Sequence, residues 1–301
     1  MMKNQVLMVV GAVGTLIIGG TIHYLLRRKK RVPVLLENPS KKYSLPLIEK
    51  EIINHDTRRY RFGLPSTHVL GLPVGSYVIL TAEINGQPVR HAYTPVSDDN
   101  DFGFVDLIVK VYFKNVHPKF PEGGRLTQYL DEMKIGDTID FEGPGGRLIY
   151  HGNGKFAIRL SKTDPVQHFY NFKKVVMLAG GSGIAPMLQL IRAIAKNPSD
   201  STQVSLLFAN QMEKDILMRE ELEQVIKDRP EQFKLWYTLD TADANWKYST
   251  GYITADMIKE HMFPPAEDTI VLMCGPKPMI SVACTPNLDK LGYDNKLRFI
   301  Y

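Results

Sequence analysis

Cysteine is almost missing from this chain, with only Cys274 and Cys284 in 301 residues. So few thiols exclude a disulfide framework and fit a reducing compartment. Acidic residues are missing from one end: residues 1–31 hold none of the 32 Asp and Glu but six of the 37 Lys and Arg. The rest of the chain then carries 31 bases against 32 acids. The net charge of +5 therefore belongs to that end, and a nucleic-acid-binding surface loses its main support. Two short signals are also absent. Position 2 is methionine and not the glycine that N-myristoylation needs. The glycine-rich turn at 180–183 lacks the G-x-G-x-x-G spacing of the usual dinucleotide fingerprint.

Residues 6–26 contain no Asp, Glu, Lys or Arg. As a helix they would reach roughly 31 Å, enough for a bilayer core of about 30 Å. The sequence therefore predicts an N-terminal transmembrane helix, with a secretory signal peptide as the competing reading. A signal peptide places its basic residues before the apolar run. Here Arg27, Arg28, Lys29, Lys30 and Arg31 follow it, so the positive-inside rule puts everything beyond residue 26 on the cytosolic side.

Between 32 and 145 the chain breaks into short runs rich in Val, Ile, Phe and Tyr, punctuated by glycine and proline, at 60–65, 72–80, 103–113 and 135–141. Such runs predict the strands of a small antiparallel barrel or sandwich. A strand over 77–83 with the turn Ile84-Asn85-Gly86-Gln87 leads into His91-Ala92-Tyr93-Thr94-Pro95-Val96-Ser97, which packs an aromatic ring, two hydroxyls and a proline into seven residues. One helix is expected over 127–133. It follows Gly123-Gly124, and unpaired N–H groups at such a helix start make Gly124, Arg125, Leu126 and Thr127 a candidate phosphate seat. Most Gly-Gly turns, however, are only turns.

From 173 onward the pattern is that of an α/β domain. An apolar run ending at Ala179, the turn Gly180-Gly181-Ser182-Gly183 and a helix over 184–196 with Pro186 in its first turn form a strand, turn and helix start suited to a pyrophosphate. Further strands are predicted at 203–209, 233–239 and 269–274, and helices at 218–228, 254–261 and 278–283. Together they describe a doubly wound parallel sheet. Asp240 closes one strand, where a carboxylate accepts from ribose hydroxyls and repels a 2′-phosphate; a capping aspartate is the plainer alternative. Cys274, Gly275 and Pro276 end the next strand on the same carboxyl edge, where a buried structural cysteine is the default reading.

Taken in order, these segments resemble the NADH–cytochrome b5 reductase family of ferredoxin-reductase-like flavoproteins. The resemblance runs through His55-Asp56-Thr57-Arg58-Arg59, Tyr93-Thr94-Pro95 with Ser97, Gly103-Phe104-Val105-Asp106-Leu107, Lys110-Val111-Tyr112-Phe113, His117-Pro118-Lys119-Phe120-Pro121 and Gly124-Arg125-Leu126-Thr127. It continues through Gly180 to Pro186, Phe208-Ala209-Asn210-Gln211, Leu235-Trp236-Tyr237-Thr238-Leu239-Asp240 and Cys274-Gly275-Pro276. Beyond the membrane anchor read from residues 1–31, it implies an FAD-binding β-barrel domain at 32–145, a connecting segment at 146–172 and an NADH-binding domain at 173–301. It also implies FAD and NADH as cofactors and the acidic heme protein cytochrome b5 as acceptor. A quinone or ferric chelate as acceptor, or a membrane-tethered protein that has lost its flavin, are the alternatives.

The resemblance further implies that Tyr93 lies along the FAD, that Thr94 bonds the flavin near N5, and that Ile108, Lys110 and Phe113 line it. Gly124 to Thr127 would hold its pyrophosphate. Gly180, Gly181, Ser182, Gly183 and Ala185 would seat the NADH phosphates, Asp240 the adenosine ribose, and Cys274, Gly275 and Pro276 the nicotinamide. The catalytic assignments fall on Thr94 and Cys274, and no metal is implied. Lys42, Arg125 and Lys162 are candidate docking charges. At position 91 relatives carry arginine, whereas this chain has His91, a cofactor-contacting position, with Arg90 one step earlier.

Overall fold

The computed structural model describes residues 32–116, 118 and 120–301. The span expected at 6–26, its basic flank, and His117 and Lys119 of the His-Pro-Lys-Phe-Pro run lie outside the described residues. Among the described residues no helix is long and apolar enough to cross a membrane.

The first half is an antiparallel sheet in the order β4-β3-β6-β1-β2-β5. Its strands are β1 (Tyr43–Ile52), β2 (Thr57–Gly63), β3 (Tyr77–Ile84), β4 (Gln87–Tyr93), β5 (Phe104–Lys110) and β6 (Thr138–Gly145). Alternation builds it. On β2, Tyr60 and Phe62 are fully buried, while Arg59 and Arg61 point outward to Glu49 and Asp106. Phe62 meets Phe141 edge to face at 5.0 Å, and helix α1 (Arg125–Glu132) plugs Leu126 and Leu130 into the same core. Each fully buried side chain of this size contributes about 1.5–3 kcal/mol before entropy is counted.

The β3–β4 hairpin turns on Asn85 and Gly86, both at positive φ (54° and 71°), as a two-residue hairpin loop requires. That fixes the register of β4, with Leu80 opposite His91 and Val78 opposite Tyr93. The barrel expected from sequence is open between its edge strands β4 and β5. It is bridged there by the Val96 N–H donating to the Asp106 carbonyl at 2.9 Å. The strand expected over 72–80 begins only at Tyr77. Pro73, whose carbonyl accepts from Ser76 N–H, and Gly75 at φ 95° make a turn of the preceding residues.

Residues 146–172 are more than a connection. β7 (Leu148–Tyr150), β8 (Lys155–Ile158) and β9 (His168–Asn171) form a three-stranded antiparallel sheet. Tyr150 joins the halves: its N–H donates to Val74 O at 2.8 Å, and its hydroxyl donates to Asp200 Oδ2 at 2.5 Å.

The second half is a parallel sheet in the order β13-β12-β11-β10-β14-β15. It comprises β10 (Lys174–Gly180), β11 (Gln203–Asn210), β12 (Phe233–Leu239), β13 (Ser249–Thr250), β14 (Thr269–Cys274) and β15 (Arg298–Ile300). Val175, Met177 and Ala179 face the cluster containing Leu188 and Ile191 of α2 (Ile184–Lys196) and Leu222 of α3 (Arg219–Asp228). Val176 and Leu178 face the opposite cluster, with Ile258 of α4 (Ala255–His261) and Leu288 of α5 (Thr285–Lys290). Both faces are covered, so the uninterrupted apolar run of β10 is what a doubly wound sheet demands. Strand order reverses at β10, between β11 and β14, and in such sheets ligands bind outside the carboxyl ends at that point.

Candidate functional site

The residues expected to line the flavin gather around the open edge of the first sheet. Alternation on β4 puts Val89, His91 and Tyr93 on one face and Arg90 on the other. His91 is exposed. Tyr93 packs against the barrel core, and burial holds its phenol well above its ordinary range, so it is a neutral surface for a ring. Thr94, half-buried, follows on the segment that crosses to β5. Ile108 on β5 is buried within the cluster belonging to the second half. Lys110 places its ammonium 2.7 Å from Asp56 Oδ2, and the Arg58 guanidinium lies 5.9 Å from the Phe113 ring centre.

Beside them, α1 packs on β3 and β4 and begins at Gly124, which supplies no side-chain cap. Its first-turn N–H groups are therefore available to an anion. A Cβ at Gly123 would stand 2.3 Å from Tyr112 O, so the turn hugs the Tyr112-Phe113 backbone. Thr127 Oγ1 accepts from Tyr112 N–H at 3.2 Å and donates to Gly124 O at 3.0 Å. Arg125 is exposed and donates to Ile84 O at the hairpin tip. Leu126 differs from expectation, because its side chain lies in the core and only its backbone can face a phosphate.

The nucleotide side is assembled by close backbone approach. Added Cβ atoms would stand 2.2 Å from Cys274 O at Gly183, 2.5 Å from Met279 Sδ at Gly180 and 2.7 Å from Met279 Cε at Gly275. The Gly180–Gly183 turn and the Cys274-Gly275-Pro276 turn are thus packed on each other at the switch point. Ser182 is half-buried and Ala185 buried in the first turn of α2. Asp240 is exposed at the carboxyl end of β12, its N–H bonded to Asn210 O at 3.0 Å. Burial pushes the Cys274 thiol up to about 11, so it is a neutral thiol at physiological pH and not a nucleophile.

The two sets meet. β5 touches the Gly181–Gly183 turn, Gly75 N–H donates to Gln189 Oε1 at 2.6 Å, Lys196 pairs with Asp98 at 2.7 Å, and Arg192 donates to the Val96 carbonyl. Sequence reasoning missed these α2 contacts, because Gln189, Arg192 and Lys196 look like an ordinary solvent face. It also missed Asn210 and Tyr301. Asn210, at the end of β11 between the glycine turn and Asp240, is buried with neither amide atom partnered. A polar residue closing an apolar strand was its only signal. The Tyr301 hydroxyl is buried without a partner. Its phenol is pushed up first by burial and then by the neighbouring Cys274 thiol. The Asn210 amide, the glycine cradle and the uncapped helix start fit a dinucleotide and a flavin nucleotide.

Such a site defines a two-domain FAD- and NAD-binding oxidoreductase. Residues 44–150 match the family model described as oxidoreductase FAD-binding domain, and 177–285 that described as oxidoreductase NAD-binding domain. The chain is 59% identical over 278 residues to human NADH-cytochrome b5 reductase 2, covering 92% of this chain and 100% of that protein. It is 58% identical to the Xenopus tropicalis protein of that name, covering 99% and 98%. The crystal structure of the cytochrome b5 reductase domain of Ulva prolifera nitrate reductase superposes with a TM-score of 0.81 at 40% identity, covering 89% and 100%. The chain belongs to the NADH–cytochrome b5 reductase family, and it is an NADH-dependent FAD oxidoreductase.

Proposed function

We propose that this enzyme passes electrons from NADH through FAD to the heme of cytochrome b5, from a position anchored to the cytosolic face of a membrane. The observation that carries the redox reading is the contact of β5 with the Gly181–Gly183 turn, which sets the flavin-lining strand against the nucleotide cradle. Bound FAD supplies the conversion of one hydride into two single electrons. The chain supplies orientation. Gly124 to Thr127 and His91 hold the flavin nucleotide's phosphates, Tyr93 and Ile108 flank its ring, and Thr94 offers a hydroxyl beside it. Gly180 to Gly183 and Asn210 seat NADH, and Asp240 accepts from its adenosine ribose. Cys274 and Tyr301 form a neutral, water-poor wall at the nicotinamide end, because burial keeps both protonated.

The acceptor reading rests on the relatives' name and on surface charge. Arg125 and Lys162 are exposed, whereas Lys42 also lies 3.6 Å from Asp140. Such charges tune encounter rate more than affinity. The anchor rests on residues 6–26 and the basic run after them, with the endoplasmic reticulum or outer mitochondrial membrane as the site. Steady-state turnover with purified cytochrome b5 against a ferric chelate and a quinone tests the acceptor. Alkaline extraction of membranes from cells expressing the full chain, and a form lacking residues 1–31, tests the anchor.

A further inference from the structure

Asp215 is a buried carboxylate that the hydride reaction does not use. It sits on the turn after β11, is 7% exposed, and accepts the Met212 N–H through Oδ2 at 3.1 Å. Its other oxygen, Oδ1, is buried with no hydrogen-bond partner. Leaving such an oxygen unsatisfied is costly, so a cation is the natural complement.

What faces it comes from the other half of the molecule. His55, on the turn between β1 and β2, places Nδ1 3.8 Å from Asp215 Oδ1 and Nε2 3.4 Å from Asp56 Oδ2. A separation of 3.8 Å is too long for a hydrogen bond. It is close to the span between two ligands of one metal ion: donors about 2.0–2.2 Å from a tetrahedral centre stand roughly 3.3–3.6 Å apart. One donor atom from each of His55, Asp56 and Asp215 lies within 4.8 Å of the others. Only one ring nitrogen of His55 serves a given ion, so completing the set takes closures from a few tenths of an ångström up to about 1.5 Å.

We propose that His55, Asp56 and Asp215 form a binding site for a Zn2+-type divalent cation that clamps the flavin half to the NADH half. One imidazole and two carboxylates suit Zn2+. Ca2+ asks for six to eight oxygens, and Mg2+ keeps most of its waters. The His55 side chain is 53% exposed, which leaves an entry path. Lys110 sets the cost, since its ammonium stands 2.7 Å from the same Asp56 Oδ2 that the cation would take. The Asp56 Oδ1 already accepts from the Thr57 hydroxyl. Cation and lysine therefore compete, and because Lys110 belongs to the flavin-lining set, occupancy of the clamp slows turnover. A plain imidazolium held between the two carboxylates is the rival arrangement. It tightens as pH falls, whereas metal binding requires a neutral imidazole and tightens as pH rises.

The test is calorimetric titration of the FAD-loaded full chain with zinc chloride near neutral pH and again in mild acid, with thermal midpoints measured alongside. One site is expected, stronger at the higher pH and accompanied by a raised midpoint. Affinity should fall at least about tenfold in Asp215→Asn and in His55→Ala, and stay unchanged in His168→Ala, whose ring lies beside Asp164 elsewhere. His55→Ala removes a half-exposed side chain, so it serves if Asp215→Asn does not fold. Unchanged zinc affinity in a folded Asp215→Asn or His55→Ala protein, absence of a saturable site, or affinity that rises in acid would each overturn the proposal.

Discussion

Arg90 and Glu142 are ion-paired at 2.7 Å on the face of β4 opposite His91. Register on β3–β4 runs without a bulge, so nothing re-aims Arg90 towards the cofactor face. Within β4, position 91 is therefore the one next to Tyr93 on that face where a charge could stand, and this chain has histidine there. Arginine offers a permanent charge and a bidentate fork to phosphate, which histidine does not. His91→Arg is expected to tighten FAD retention about tenfold or more. Arg90→Ala should leave it nearly unchanged. Flavin fluorescence released on dilution measures it.

Asp240 stands exposed next to Asn210, where an adenosine ribose would lie. Asp240→Ala is expected to raise KM for NADH about tenfold and to narrow the preference over NADPH, because a carboxylate at this strand end would accept from the ribose and repel a 2′-phosphate. Steady-state kinetics with both nucleotides gives the answer. An unchanged preference would make Asp240 a capping residue.

The glycine turn separates two kinds of strain. A Cβ at Gly183 would meet Cys274 O at 2.2 Å, while at Gly181 nothing lies within 4 Å but φ is 52°. Gly183→Ala must push the two turns apart, and about 1–3 kcal/mol of destabilisation with a large loss of NADH affinity is expected. Gly181→Ala incurs only the left-handed backbone cost of about 1 kcal/mol. Thermal midpoints and KM for NADH should rank the two in that order.

The same contrast explains what could be read from sequence. β12, β14 and α2 lie where the residues place them, because continuous apolar runs stopped by Gly or Asp admit few other readings. The sheet at 148–171 did not show itself: its strands are three or four residues long, and their pairing is held by distant partners such as Val74 and Asp200. The helix expected to end at 283 is a π-turn over Met279–Cys284 continuing into α5, with Pro286, which has no N–H to donate, just after the junction. Asn210, and the approach of His55 to Asp215, depend on tertiary contacts that no local pattern encodes.

Tyr150 and Asp200 carry a pH-dependent part of the joint between halves. Burial pushes the Asp200 carboxyl up. Hydrogen bonds from Tyr150, Thr202 and Asn153 outweigh it, and the net result lies below the ordinary value. A carboxylate depressed in the folded state contributes stability that is present above its unfolded pKa of about 3.9 and is lost as pH falls through the folded value. Tyr150→Phe should therefore destabilise the protein by about 1.5–3 kcal/mol at neutral pH, with the difference shrinking in acid below about pH 4. Denaturant melts at both pH values check the sign.

Anaerobic stopped-flow mixing tests the proposed relay from NADH through FAD to cytochrome b5 most directly. The flavin bands should bleach on mixing with NADH. They should then recover as oxidised cytochrome b5 is added, with two heme equivalents reduced per flavin. Flavin that bleaches but is not reoxidised by cytochrome b5 would contradict the account.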